Sequence, residues 1–409
     1  MTPFQKSTFA AAISLSLFAA PAIGQTLDDL EIQLREHPSL VAMRSSTSAE
    51  RDRAIAAKAL PDPVVSFGIN NFPIFDPSFN AFVPTNTSLG VRQQFPNMAG
   101  RRARAAEANG RANVSDAAME MQFDALRAEL LIALIERRKI ALQREILQQQ
   151  NSKYDELSDV VAAEIDAGRP AVFRLAEIDV ERARVARRIA DLKGEEARIN
   201  AQLINLVGAP VGVAPPPMTI PDWQGSPQSF HAVRVADSNL SVSEARVDQA
   251  KAAFRPEFGV QFSYQLRQEG SGAPTEMFAG DDFVSGMVTF TVPLWAKQSQ
   301  EPTLRAAQSD RASARSLSAN AARQAAAQYA SYEAIRFAAE DSLIILKEQI
   351  AAIEDQMASQ LTTYESGIGD YSPIIDGEIA ILALKWEIEN EITRRDTAIA
   401  LTNALLVTS

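Results

Sequence analysis

Few side chains in this 409-residue sequence have the types and spacing for acid, base or metal chemistry. His37 and His231 are its two histidines, and neither belongs to an HExxH, Walker or GxSxG pattern, so both read as structural or solvated positions. Gly367-Ile368-Gly369-Asp370 has closely spaced glycines, but no strand precedes it and no Lys-Ser/Thr follows. It reads as a turn that reverses a helix, not as a phosphate loop. The absence of cysteine excludes thiolate metal sites, disulfides and an acylated N-terminal cysteine. Arg101, Arg102 and Arg104 form a basic group at a helix start, suited to lipid headgroups or phosphate, or simply solvated. A formal net charge of -11 argues against a nucleic-acid partner and is compatible with an acidic path for cations. No catalytic residue, resident cofactor or metal site is expected.

The elements that would carry these residues are unusual in length. Gly100 to Ala167 contains no proline and places Phe123, Leu126, Leu130 and Ala133 at helical spacings. Ile132, Ile135, Leu142 and Ile146 form a neighbouring stripe, and two stripes imply neighbours on two sides. Such a helix spans on the order of 100 Å at 1.5 Å per residue. Gly168-Arg169-Pro170 stops it, since glycine supplies a left-handed cap and proline can open the next helix, Ala171 to about Val207. The segment Leu27 to Leu60, broken near Pro38, and this return helix together match the long helix in length, so they are expected to stack end to end beside it. Met1 to Gly24 has a basic start, an apolar run from Phe9 to Phe18 and small residues at a cleavage point, the pattern of a secretory signal.

An internal repeat organises the whole chain. Ala57-Lys58-Ala59 before Pro61 and Pro63 is echoed by Ala250-Lys251-Ala252 before Pro256. Arg104-Ala105-Ala106 recurs as Arg305-Ala306-Ala307, and Gly168 recurs as Gly367, each pair roughly two hundred residues apart. The expected organisation is a signal (1–24), a first repeat (25–207), a Pro-rich linker (208–227) and a second repeat (228–409). Each half reads helix, strand, strand, very long helix, tight turn, return helix. The second long helix covers Gln300 to Ser366, and its partner covers Ile374 to Val407 with Ile381, Leu384, Ile388 and Ile392 on one face.

The strands alternate with period two over the nine to eleven residues that a tilted membrane strand needs. Val65, Phe67 and Ile69 oppose Ser66, Gly68 and Asn70, and Leu89, Val91 and Phe95 oppose Ser88, Gly90, Arg92 and Gln94. Phe258, Val260, Phe262, Tyr264 and Leu266 oppose Gly259, Gln261, Ser263 and Gln265. Val284, Val288, Phe290 and Val292 oppose Ser285, Thr289 and Thr291. Two half-buried hairpins on a soluble sheet are the alternative reading. Four strands cannot close a barrel, and an open edge in lipid leaves backbone groups unsatisfied, so several chains must combine. Two chains give eight strands and three give twelve; an aqueous pore favours three or more.

The duplication, Leu60-Pro61-Asp62-Pro63 before an alternating strand, Gln94-Phe95-Pro96 before Gly100-Arg101-Arg102, and the turns at Gly168 and Gly367 together resemble the TolC-like outer-membrane efflux proteins. That resemblance implies a mainly α chain with membrane β-strands, forming a homotrimer with a twelve-stranded outer-membrane barrel and a periplasmic helical tunnel. It also implies a tip that docks with a periplasmic adaptor and an inner-membrane pump, and a passive, non-enzymatic exit duct. Tip contacts then fall on Gly168, Arg169, Pro170, Gly367, Ile368, Gly369 and Asp370. Asp376 matches an acidic residue that narrows the tunnel mouth in relatives, while Pro373 replaces a second acidic position. Pro61-Asp62-Pro63 with Gly68-Ile69-Asn70-Asn71-Phe72-Pro73 resembles the branch found with heavy-metal cation pumps. Drug or protein export through the same fold, and a non-conducting periplasmic coiled-coil scaffold, are the competing functions.

Overall fold

The computed structural model describes residues 25–72, 74–75, 85–168, 172–267 and 281–407. The expected signal, Arg169, Pro170 and most of both hairpin loops lie outside these residues. The chain opens with α1 (Leu27–Arg35), whose Thr26 and Asp29 form a capping box, and α2 (Pro38–Ala56). His37 Nδ1 accepts from the Ser39 N–H at 3.3 Å, so this histidine caps α2. Strands β1 (Val64–Asn70) and β2 (Asn86–Phe95) lead into α3 (Met98–Asp166), which α4 (Val172–Val207) follows. After residues 208–226, which hold neither helix nor strand, the same order recurs in α5 (His231–Ala252), β3 (Glu257–Leu266), β4 (Phe283–Thr291), α6 (Gln300–Glu365) and α7 (Ser372–Leu405).

α3 starts two residues before the expected Gly100. Asn97 follows Pro96 in extended backbone, and its Oδ1 accepts the Gly100 N–H at 2.7 Å, which favours a start at Met98. Its two apolar stripes meet different neighbours: α2 and α4 lie along one side, and α5 and α7 along the other. On α4, Ile178, Val185, Leu192, Ile199 and Leu206 recur every seven residues and are all buried, the period of a left-handed supercoil. Among the described residues, α6 packs chiefly on α5 and α7, with Tyr329 also meeting Trp223. A flank turned away from these contacts, with Phe337, Ile344 and Ile345, is exposed.

The shorter helices meet end to end. Leu30 and Leu34 of α1 share one apolar cluster with Leu203 and Leu206 of α4 and with Leu126, Leu130 and Leu134 of α3. Phe230 bridges Leu406, and the Val407 N–H donates to the Ser229 carbonyl at 2.8 Å, which joins the start of α5 to the end of α7. At the same level, His231 Nε2 lies 2.7 Å from Asp124 Oδ2 of α3, with both side chains buried. Both joints therefore sit beside residues 123–134 of α3. The linker is fastened here too: Arg137 donates to the Val211 and Val213 carbonyls, and Asn403 donates to the Thr219 carbonyl. Trp223 packs at a tilt against Phe230 and Tyr329, with centroid distances of 4.9 Å to each.

α7 departs from its expected single face. Ile381, Leu384, Ile388 and Ile392 are only half-buried, whereas Ile375, Leu382 and Ile399 are buried. The reason is that α7 lies between α3 and α6 and is covered from two directions.

Candidate functional site

The four strands form one antiparallel sheet in the order β1-β2-β3-β4, with β1 and β4 as its edges. Register fixes the faces. One face carries Phe67, Leu89, Tyr264 and Val284 in a single row, and the next row holds Val65, Val91 and Phe262 with Gly286. The other face carries Ser66, Gly90, Ser263 and Ser285 in one row and Val64, Arg92, Gln261 and Met287 in another. The alternation read from the sequence is thus largely realised, although Val64 lies on the polar face and Thr87 on the apolar one. Gln93 joins the apolar face at the helical rim, where its amide donates to the Pro61 carbonyl, and Met287 joins the polar face.

In the single chain the apolar face is uncovered: Phe67 is 75% exposed, and Phe262, Val288 and Phe290 are exposed as well. A contiguous apolar surface of this kind marks an interface with lipid or protein. From Leu266 to Phe258 it extends about 25 Å along the strand at roughly 3.3 Å per residue, the height of a membrane band. Among the described residues, no helix is long and apolar enough to cross a membrane.

All four strands join their helices at one rim, because β1 and β3 begin there and β2 and β4 end there. The far end of the helical layer is built by the α3–α4 and α6–α7 turns. Gly168 has φ +86° and Gly367 has φ +80°, the left-handed region that glycine enters without a Cβ clash. The Gly168 N–H donates to the Ile165 carbonyl and the Gly367 N–H to the Tyr364 carbonyl, both at 2.9 Å, so each glycine closes its helix as expected. Tyr364 and Tyr371 pack 5.2 Å apart across the second turn, and Ile368 at its apex is 85% exposed. Gly369 lies close against the end of α6, where an added Cβ would stand 3.2 Å from the Tyr364 backbone nitrogen. Asp370 ends the turn, and Arg169 and Pro170 are outside the described residues.

The two turns are tied together. Leu157 and Val161 of α3, Ile178 of α4 and Ile375 of α7 form a buried cluster. Immediately beyond Ile375, Asp376 Oδ2 lies 3.2 Å from Arg174 Nη2 of α4. The sequence reading of Asp376, which rested on its match to an acidic position in relatives, did not foresee this partner. The pair borders a cleft of about 600 Å³ that Tyr154, Glu181 and Arg184 also line. Burial, with Glu181 nearby, pushes the Tyr154 phenol above its ordinary range. On the other flank of α7, Lys153 meets Glu378 at 2.7 Å and Glu156 at 2.9 Å, and these carboxylates hold its ammonium above the usual lysine range. No sequence signal links Arg174 to Asp376; they meet because the starts of α4 and α7 both pack on Leu157 and Val161 near the end of α3. Among the described residues, no group of three His, Cys, Asp or Glu side chains converges as metal ligands.

No family sequence profile and no curated protein matches the chain. Solved structures do. The chain is similar to the outer membrane protein VceC of Vibrio cholerae at 15% identity, covering 93% of this chain and 95% of that one with a TM-score of 0.73. It is similar to the MtrE outer membrane channel of Neisseria gonorrhoeae at 17% identity, covering 93% and 88% with a TM-score of 0.74. It is also similar to CusC, whose structure concerns transmembrane channel formation, at 15% identity, covering 100% and 99% with a TM-score of 0.73. A mainly helical chain with one small antiparallel sheet at its end, superposable over its length on such proteins, has the TolC-like outer-membrane channel fold.

Proposed function

We propose that the chain is the outer-membrane exit duct of a multi-part efflux system, acting as a homotrimer without catalysis. The observation that carries this reading is the four-stranded sheet with an uncovered apolar face and two open edges, mounted on one end of a helical layer about 100 Å long. In an even-stranded antiparallel sheet, β4 of one copy runs antiparallel to β1 of the next, so three copies close twelve strands with the polar face inward. The exposed flank of α6 then meets the α2 and α4 side of a neighbour, which closes the helical layer into a tunnel. Reconstitution in planar bilayers tests the proposal. A trimer that conducts ions supports it, and a purified, folded monomer without conductance overturns it.

The tip residues Gly168, Arg169, Pro170, Gly367, Ile368, Gly369 and Asp370 are the proposed contact with a periplasmic adaptor and its inner-membrane pump. Ile368→Asp avoids the positive-φ glycines and changes an exposed apolar apex, so efflux should fall while trimer assembly persists. Unchanged efflux removes the apex from the contact.

Asp376 is the proposed gate. Its pair with Arg174 is half-exposed, and such pairs contribute only about 0.2–1 kcal/mol each. The tunnel mouth is thus held by weak contacts that can exchange. Asp376→Asn should raise resting conductance and weaken block by millimolar divalent cation. Arg174→Gln should raise conductance while block persists, because the three carboxylates remain. Identical block in wild type and Asp376→Asn assigns Asp376 to the solvated surface. The proposed cargo, heavy-metal cations, rests on the Pro61-Asp62-Pro63 resemblance and the net charge of -11. Complementation of channel-deficient cells checks it: metal tolerance restored without drug tolerance supports it, and the reverse result overturns it.

A further inference from the structure

The rim where strands become helices carries two features that the duct reading does not use. The first is aromatic. Phe95, Phe258 and Phe290 occupy one registered row on the apolar face, and the Phe95 and Phe258 rings stack at 5.0 Å. Just beyond this row the chain leaves β4 through Leu294 and Trp295, which are 75% and 70% exposed. They are held outward by a tight turn in which the Trp295 carbonyl accepts from the N–H groups of Gln298, at 2.9 Å, and Ser299, at 3.2 Å. Exposed Trp and Leu on a fixed turn are costly in water, and indole is the side chain most at home between hydrocarbon and headgroups.

The second feature is charge. A cleft of about 410 Å³ places Arg255 beside Leu294 and Trp295, and an adjoining cleft of about 520 Å³ places the same Arg255 with Arg102 and Lys251. Lys251 is paired with Asp248 at 3.0 Å, and Glu257 on the rim accepts from Asn97 at 3.3 Å. Arg102 and Arg255 have no hydrogen bond or ion pair among the described side chains, and both are exposed. Two guanidinium groups paired with no carboxylate, although Asp248 and Glu257 line the same clefts, next to an aromatic step at the edge of an apolar band, match the layering of a bilayer leaflet. Hydrocarbon meets the strands, the carbonyl region meets Trp295, and phosphodiester oxygens lie within reach of the guanidinium forks.

We propose that Arg102 and Arg255, with Trp295, form a binding site for the phosphodiester headgroup of an anionic phospholipid in the leaflet on the helical side of the barrel. The site fixes the height of the channel in the membrane and its rotation against the leaflet. It rests on the outer-membrane reading given above.

The test uses the full chain, purified and reconstituted in vesicles of phosphatidylglycerol and phosphatidylcholine. Trp223→Phe with Trp386→Phe leaves Trp295 as the reporter. Its fluorescence should be quenched more by lipids brominated near the carbonyl than by lipids brominated near the chain end. In parallel, native mass spectrometry of the otherwise unaltered protein compares wild type with Arg102→Gln/Arg255→Gln. Each surface cation strengthens attraction to an anionic leaflet about fivefold, so the double variant should retain phosphatidylglycerol roughly 25-fold less well, with phosphatidylcholine unchanged. Insertion with an unquenched Trp295 and equal lipid retention overturns the site and leaves the channel reading standing. Displacement of phosphatidylglycerol by inorganic phosphate alone overturns the lipid assignment in favour of a free-anion site. A protein that never inserts overturns the channel reading and this site with it.

Discussion

His231 and Asp124 illustrate how a residue without chemistry can still be indispensable. Their 2.7 Å contact is buried where α5 starts against α3, so either side chain alone would be left with an unmet polar group. His231→Ala should lower stability by about 1–3 kcal/mol, and Asp124→Asn by less, because an amide can still bond the ring. Thermal unfolding followed by circular dichroism reads both, and a neutral His231→Ala would show that the joint holds without it. Glu389 gives a prediction with a sign. Burial raises its carboxyl above the usual glutamate range, with Arg138 opposing and Asp396 adding to the shift. A raised folded-state value stabilises below the unfolded pKa of 4.5, and that contribution disappears as pH rises through the folded value. Glu389→Gln should therefore raise the melting temperature at pH 7 and leave it unchanged near pH 4. The sequence reading passed over Asp124 beside the stripe of Phe123 and Leu126, because its partner His231 is distant in sequence and no local pattern links them.

Helices here are spaced by small residues, and that spacing can be tested. At Gly110 an added Cβ would stand 2.9 Å from Val242 Cγ2 and 3.4 Å from the Val242 backbone. Gly110→Ala gains roughly 1 kcal/mol of helix propensity but forces α3 from α5, an overpacking cost of about 1–3 kcal/mol, so the net effect is destabilising. Adding Val242→Ala removes the clashing methyl and should restore most of the loss, a coupling that a double-mutant cycle measures. Gly194 is the control. Nothing lies within 4 Å of its Cβ position on α4, so Gly194→Ala should stabilise by about 0.5–1 kcal/mol. Element types were readable because their periods are long and uninterrupted, as in the helical stripe Phe123, Leu126, Leu130 and Ala133. Ends were less so. Gly100-Arg101 looked like a start, yet Asn97 supplies the cap, and α7 hid its burial because two neighbours share it.

For the whole molecule, the open strand edges make a prediction that the cysteine-free sequence allows to be tested cleanly. Single cysteines placed along β1 and β4 should yield, on oxidation in the membrane, a ladder of covalent products that ends at three chains. Absence of any product, or a ladder that continues past three, would exclude a closed trimer. The two-faced sheet was legible through strand alternation, whereas the turns at the far end of the helices were legible only as two glycines. The Arg174–Asp376 pair depends on how the starts of α4 and α7 both seat on the end of α3, and periodicity along each helix leaves that arrangement undetermined.

The joints beside residues 123–134 of α3 have a mechanical meaning. α3 and α6 run unbroken from rim to tip, while the columns beside them are each cut once, at α1 against α4 and at Phe230 against Leu406. α7 is therefore a lever about 50 Å long from its 34 residues, hinged at one end and loaded at Asp376 near the other. Each degree of rotation at the hinge moves its tip by about 0.9 Å, so a tilt of five degrees sweeps about 4 Å. Such a tilt must also slide α7 along α3 and α6, where Lys153–Glu378, Gln143–Asn390 and Arg138–Asp396 tie it at successive levels, so the cost of motion falls from the tip toward the aromatic joint of Trp223, Phe230 and Tyr329.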